Sequence, residues 1–315
     1  MKKIYHLCLS SPDEIMFRSS EDYWRAYNCL ALAAHKTESQ ILADSIMSNH
    51  IHVAVISPDP EGMMGQYRYP YSRYFNNKYM RSGRVGERAP YITPIEGLHR
   101  ILATISYILR NPLHHGICAT PFAYPHNSAN VYFQTELGKN RPEELLPRKS
   151  ILSHLPSRST FPEHYQMNKN GVFTRKSVTE ISQVELLYGT AKNFNFHMNR
   201  ISNEQWIKEQ QQDDANSDSQ IITLDKIEPF STDRQIQNML IHEKGKSDYK
   251  KRTDLEICQE IDSIHIQKYK KESVYLLSET EKNEIGNILY RNHASVSQIK
   301  RCLNMGSRHD ARKML

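Results

Sequence analysis

Cysteine is sparse and scattered. The five residues, Cys8, Cys29, Cys118, Cys258 and Cys302, contain no CxxC pair. That argues against a disulfide scaffold or a thiolate metal cluster, and a reducing cytoplasm is the expected setting. No apolar run is long enough to cross a bilayer. The opening stretch, Met1-Lys2-Lys3 then Ile4 to Ser10, is interrupted by His6 and reads as a first strand rather than a signal peptide. A phosphate-binding glycine loop is missing, as are an internal repeat and the acidic triad that a two-metal nuclease needs. Neither sign of charge dominates. With 41 Lys and Arg against 35 Asp and Glu, the formal net charge is +6, consistent with a polyanionic partner but not demanding one. The 315 residues suffice for two domains.

The most informative stretch that is present runs from Ile46 to Ile56, with His50 and His52 one residue apart. Its apolar, β-branched flanks predict a buried strand. Side chains alternate faces along a strand, so both imidazoles point one way while Ile51, Val53 and Val55 point the other. Two imidazoles on one rigid face make a bidentate metal site. Composition alone can also place two histidines close together, since the chain has 15.

A second element runs from Leu98 to Pro112. Leu98, Ile101, Leu102, Ile105, Ile108 and Leu109 follow helical spacing and form an apolar stripe. Pro112 is expected to stop the helix. Arg100, Thr104, Tyr107 and Asn111 line up on the opposite face. Tyr107 therefore lies outside the apolar stripe. It reads either as an amphipathic surface tyrosine or as a phenol nucleophile with Asn111 as an oxygen ligand to the same metal.

Met47-Ser48-Asn49-His50-Ile51-His52 followed by Tyr107-Ile108-Leu109-Arg110-Asn111-Pro112 resembles the single-tyrosine HUH transposases, in particular the branch associated with repetitive extragenic palindromes. The resemblance covers residues 1 to about 135. It implies that His50 and His52 hold a divalent ion, that Tyr107 is the nucleophile, and that Asn111 completes the metal site. Ser48 stands where the family usually has proline, and His114-His115 follow Asn111-Pro112 where a basic residue is common. The resemblance also implies a substrate of single-stranded DNA beside a hairpin. In minimal relatives two subunits can share the active site, so a homodimer is among the implied partners.

The chemistry can be argued from the residues. A phenol with a pKa near 10 is a weak nucleophile at neutral pH. A metal ion beside it favours the phenolate and polarises a phosphoryl oxygen. Attack on a DNA phosphodiester leaves a 5′-phosphotyrosine and a free 3′-hydroxyl, conserving the bond energy for a second strand end. Two imidazoles and an amide oxygen suit Mn²⁺ and tolerate Mg²⁺.

The order of elements is strand, helix, strands, helix. Lys3 to Leu9 is a strand; Ser20 opens a helix to about Ala34; one or two strands end at Ile56; a helical region runs from about Glu61 to Arg81, where Pro70 should kink or break it. This order predicts a ferredoxin-like α+β core, an antiparallel sheet with helices on one face. Within the middle region, Tyr67, Tyr69, Tyr71, Tyr74, Phe75 and Tyr79 are interleaved with Arg68, Arg73, Lys78, Arg81, Arg84 and Arg88. Aromatics that stack bases and cations that track a backbone suit single-stranded DNA, although about half of these rings are expected to pack under the sheet. Ser82-Gly83-Arg84-Val85-Gly86 reads as a flexible loop. Arg73, Lys78, Arg81, Arg84, Arg88 and Arg100 are the candidate DNA contacts of this core.

Residues 136–315 are expected to form a mainly helical extension. Gly138 to Pro142 is turn-rich, and Ser177-x-x-Glu180 and Ser202-x-x-Gln205 carry capping-box signatures. Glu209 to Gln220 and Lys244 to Arg252 read as connectors. At about 278–304, two capped helices around Asn292-His293-Ala294 resemble a helix-turn-helix or an ordinary bundle corner. There Ser297, Gln298, Lys300 and Arg301 are the candidate DNA contacts. The expected activity is that of a metal-dependent transposase acting on single-stranded DNA. The alternatives are a DNA-binding regulator on the same fold and a metal-dependent phosphodiesterase.

Overall fold

Four strands and three helices build the core in the order β1 (Lys3–Ser10), α1 (Ser20–Lys36), β2 (Gln40–Met47), β3 (His50–Ser57), α2 (Pro60–Tyr79), β4 (Tyr91–Ile95) and α3 (Leu98–His114). The structure, a computed structural model, describes residues 3–11, 13–86, 89–139, 143–199 and 252–305. The strands form one sheet ordered β2-β3-β1-β4, with every neighbouring pair antiparallel. That is the expected ferredoxin-like α+β core. Among the described residues no helix is long and apolar enough to cross a membrane.

Alternation along the strands sorts the sheet into two faces. Leu7, Leu9, Ile51, Val53 and Val55 face α1 and α2 and share one apolar cluster with Tyr27, Leu30, Met63, Tyr67, Tyr71 and Phe75. Leu42, Ala43 and Ala54 share a second cluster with Ile105, Ile108 and Leu109 of α3. Helices therefore cover both faces. The pair α1–α2 takes the face expected for it, and α3 lies on the other. A β-bulge between Ile41 and Ala43 lets the consecutive residues Leu42 and Ala43 both serve the α3 face, while Ile41 serves the other.

Several local expectations change. The strand β4 was not anticipated. It is short, carries Pro94 and lies at the sheet edge, where a residue without an N–H is tolerated. α2 runs continuously through Pro70, which sits on a solvent-facing side of the helix beside the exposed Tyr69. Water can take up the carbonyl that proline leaves without a donor. α3 likewise continues through Pro112 to His114, because one lost bond near a helix end is compensated by His115 N–H and Ile117 N–H donating to Asn111 O and Pro112 O. The 82–86 loop is pinned: Val85 is buried, its N–H donates to Ser72, and Arg68 and Asn76 donate to the carbonyls of Val85, Gly86 and Gly83.

The later residues mix irregular stretches and short turns with helices, and they pack onto the core. Ile151, Tyr165, Met167, Phe173 and Val178 join the α1–α2 cluster. α4 (Ile181–Tyr188) and α5 (Ala191–Asn199) join the α3 side through Val184, Tyr188, Phe194 and Met198. Ser177 is not a helix cap. Its hydroxyl accepts from Gln166 N–H and Thr174 instead, and Glu180 precedes α4 without a side-chain cap. The segments Ser202–Gln205, Glu209–Gln220 and most of Lys244–Arg252 lie outside the described residues.

α6 (Asp254–Ile264), α7 (Glu279–Arg291) and α8 (Val296–Cys302) form a third cluster around Ile257, Ile261, Ile285, Leu289, Ile299 and Leu303. Ser278 with Glu281 and Ser295 with Gln298 form the two capping boxes expected from the sequence. Ile15 enters this cluster, and the buried Arg18 donates to Asp262 and to Cys302 O, so the unit docks on the loop before α1.

Candidate functional site

The turn between β2 and β3 starts the site. Asn49 O accepts from Ser11 N–H, and Ser48 O accepts from the N–H groups of Met16 and Phe17, which fixes where β3 begins. Alternation then places His50 and His52 on the face that α3 covers. α3 lies across β2 and β3, and its face bearing Tyr107 and Asn111 meets the two histidines. His50 Nε2 stands 2.8 Å from Asn111 Oδ1. The His50 and His52 rings are 5.1 Å apart at their centroids, and His52 and Tyr107 are 5.4 Å apart, edge to face. All four residues belong to one chain.

Burial keeps both imidazoles neutral by pushing their pKa values down; at His50 the Asn111 hydrogen bond works in the opposite direction. A neutral imidazole is the ligand form. Tyr107 is 47 % exposed. Its pKa is nevertheless raised by desolvation and then by Cys8, while a hydrogen bond from Asn111 pulls it down. The phenol is thus reachable from solvent and is not ionised by its protein neighbours.

The donor set accommodates a hard-to-borderline divalent cation. His50 Nδ1 is 2.9 Å from Asn49 Oδ1 and its Nε2 2.8 Å from Asn111 Oδ1; a neutral imidazole has one N–H, and in the tautomer that carries it on Nδ1 the Nε2 lone pair is left for a cation. That lone pair faces another on Asn111 Oδ1. A cation beside two acceptors relieves their repulsion. Asn111 is fully buried and its Nδ2 has no hydrogen-bond partner, so the amide is held by its surroundings rather than by a complete set of bonds. Among the described residues, no group of three His, Cys, Asp or Glu is arranged to hold a metal. Asn111 Oδ1, 2.8 Å from His50 Nε2, is the candidate third donor.

Two nearby histidines were not singled out. His6 Nε2 on β1 lies 3.0 Å from His52 Nδ1, and its ring is 6.1 Å from Tyr107. A signal for it was present: His6, Cys8 and Ser10 are the polar positions alternating with Leu7 and Leu9. His115, the C-cap of α3, has its ring centroid 5.3 Å from that of His50.

The candidate DNA contacts divide by their surroundings. Arg73, Arg84 and Arg100 are exposed. Lys78 is held by Ser19, Glu21, Asp22 and Tyr74, and Arg81 by Glu14 and the 82–84 carbonyls. Arg88 lies outside the described residues. Of the interleaved aromatics, Tyr67, Tyr71, Phe75 and Tyr79 are buried, Tyr74 is half-buried and Tyr69 is 68 % exposed. Tyr69, Arg68 and Arg84 line a groove of about 670 Å³ with Glu61, Pro90 and Ile92. In the C-terminal unit, Gln298 is buried and donates to Arg252 O and Asp254, and Arg301 pairs with Asp254. Both point into the protein because Asp254 draws them there. Ser297 is exposed and Lys300 half-exposed.

No family model matches the chain, and no curated protein matches it. Among solved structures, it is similar to a REP-associated tyrosine transposase bound to a REP hairpin, at 13% identity over 40% of this chain and 77% of that one, with a TM-score of 0.36. A likeness that distant carries no argument about this protein's activity.

Proposed function

We propose that this protein cleaves and rejoins single-stranded DNA through a covalent tyrosine intermediate, in the manner of a transposase. One observation supports the reading most: His50, His52, Asn111 and Tyr107, far apart in sequence, converge on one side of the sheet, with His50 Nε2 2.8 Å from Asn111 Oδ1 and Tyr107 against His52. His50, His52 and Asn111 would hold Mn²⁺ or Mg²⁺. The bound ion would polarise a non-bridging phosphoryl oxygen and favour the phenolate.

The chain's own part in the reaction is nucleophile, placement and exclusion. Tyr107 Oη attacks phosphorus and loses its proton, the bond from phosphorus to the 3′-oxygen breaks, and that oxygen leaves with a proton as a 3′-hydroxyl. Asn111, one helical turn after Tyr107 on α3, shares its face, and its Oδ1 is set against His50. Rejoining reverses the exchange with another 3′-hydroxyl. Partial exposure of Tyr107 leaves the phenol within reach of a strand. The proposed substrate, single-stranded DNA next to a hairpin, follows the resemblance carried by the His50/His52 and Tyr107/Asn111 motifs. Arg73, Arg84 and Arg100 would track the backbone, with Tyr69 stacking a base. In the helical extension, Ser297 and Lys300 would touch duplex DNA. A homodimer, implied by the resemblance, would bring two such sites to the DNA.

One observation favours a second reading. The raised pKa of Tyr107 suits a residue that holds substrate while water attacks, which would make the protein a phosphodiesterase. A 3′-labelled single-stranded hairpin DNA, incubated with Mn²⁺ and run on a denaturing gel, separates the two. Label shifted to protein mass in the wild type, and lost in Tyr107→Phe and with chelator, supports the transesterase. Cleavage without an adduct supports the hydrolase.

A further inference from the structure

We propose that His6 is a positioning residue, whose Nε2 fixes the tautomer and ring orientation of His52 so that His52 Nε2 is left open toward the site. The inference rests on reading His50, His52 and Asn111 as the donors for a divalent cation, and adds a residue outside that set.

The backbone brings the two rings together. In the β1–β3 register Cys8 lies opposite His52 and His6 opposite Ala54, so His6 and His52 are diagonal neighbours on one face. Diagonal neighbours are within reach of aromatic side chains. Their ring centroids are 5.1 Å apart with the planes tilted by 30°, and the Nε2–Nδ1 distance is 3.0 Å.

A hydrogen bond between two neutral imidazoles has one proton to share, so the tautomers of the two rings are coupled. When His52 Nδ1–H donates to His6 Nε2, His52 Nε2 carries the lone pair. The opposite assignment puts a proton on His52 Nε2 and removes the ligand.

The neighbouring histidine follows the same plan. His50 Nδ1 is turned to Asn49 Oδ1 and its Nε2 to Asn111. Each histidine therefore has one nitrogen held by an orienting partner, Asn49 for His50 and His6 for His52. Orienting partners of this kind typically change metal affinity by about 10–100-fold when removed. His6 is read as an orienter because its Nε2 is turned to His52 Nδ1 at 3.0 Å. Its ring also stands edge-on to Tyr107 and to Tyr91, so it fills the space between the nucleophile and the edge strand.

The test uses the full chain and two readouts. The first is Mn²⁺ binding by calorimetry for wild type, His6→Phe and His6→Gln. The Phe variant keeps a buried ring without a nitrogen, and its affinity should fall about 10–100-fold. The Gln variant supplies an acceptor and should recover most of it. The second readout is the imidazole ¹⁵N spectrum without metal, where wild-type His52 should show the Nδ1–H tautomer and the Phe variant a mixture. Unchanged Mn²⁺ affinity in a folded Phe variant overturns the proposal, and so does a wild-type His52 found in the Nε2–H tautomer. The wild-type spectrum needs no variant and decides the matter even if His6→Phe fails to fold. Wild-type protein that ignores Mn²⁺, together with a tautomer change on His6 substitution, would remove the cation reading and leave the positioning role standing.

Discussion

Ser48 Oγ donates to Asp254 Oδ2 at 2.7 Å, tying the turn that begins the histidine strand to a helix 206 residues later. Asp254 also accepts from Gln298 and, through both carboxylate oxygens, from Nε and Nη2 along one edge of the Arg301 guanidinium. The C-terminal unit thus braces His50 from outside the sheet. Asp254→Ala removes all three contacts. It should cost about 3 kcal/mol in urea unfolding, at the low end for breaking a buried pair because Arg301 keeps some solvent. Ser48→Ala should cost about 1 kcal/mol. Equal stability for Asp254→Ala and wild type would show that the brace carries no weight.

Asp44 on β2 is fully buried and makes a forked pair with Arg175, which also lies over the Tyr27 ring. Arg175→Met strands the carboxylate and should lower stability by about 3–5 kcal/mol. Replacing both partners, Asp44→Leu with Arg175→Met, should cost less than the sum of the single changes. A double-mutant cycle measures the difference, and additive costs would count against a coupled pair.

His126 stacks on Tyr23 with centroids 3.9 Å apart, and burial, helped by Arg175, holds its pKa at about 3. In the unfolded chain the value returns to about 6.5. Between these values the unfolded state binds more protons, so this contribution is full above pH 6.5 and is lost as pH falls toward 3. Urea midpoints should therefore drop over that range, and His126→Phe should make the curve flatter. An identical pH profile in the variant would assign the acid sensitivity elsewhere.

The basic residues should separate in a salt titration of DNA binding. Arg73→Ala and Arg84→Ala should each reduce the slope of log K against log salt by about 1. Lys78→Ala and Arg81→Ala, already committed to Asp22, Glu21 and Glu14, should lower the unfolding midpoint and leave the slope alone. A slope change for Arg81 equal to that for Arg84 would mean the Glu14 pair opens on binding.

Asn111→Ala removes the one donor from α3. Mn²⁺ binding should weaken by at least tenfold while circular dichroism stays unchanged, since the amide's own Nδ2 has no partner to lose. Chelation should abolish strand cleavage in the wild type. Retained Mn²⁺ affinity in Asn111→Ala would move the cation away from α3.

Much of the site was legible because its periodicities are local. A two-residue spacing on a strand puts His50 and His52 on one face, and a four-residue spacing on a helix puts Tyr107 and Asn111 on one face. The capping boxes at Ser278 and Ser295 are equally local, and both formed. By contrast, β4 was hidden by its length and its proline, and the helices at Pro70 and Pro112 ran on because proline near water or near a helix end costs only one backbone bond.

The sequence by itself determined which side chains could act together within each element. Tertiary structure decided their company. It gave His52 a partner in His6, turned Gln298 and Arg301 inward onto Asp254, and buried four of six interleaved aromatic rings while leaving Tyr69 outside. Those outcomes depend on strand register and on which carboxylates end up buried. Such long-range contacts are absent from any local pattern, and desolvation sets which charges must pair and which remain for a ligand.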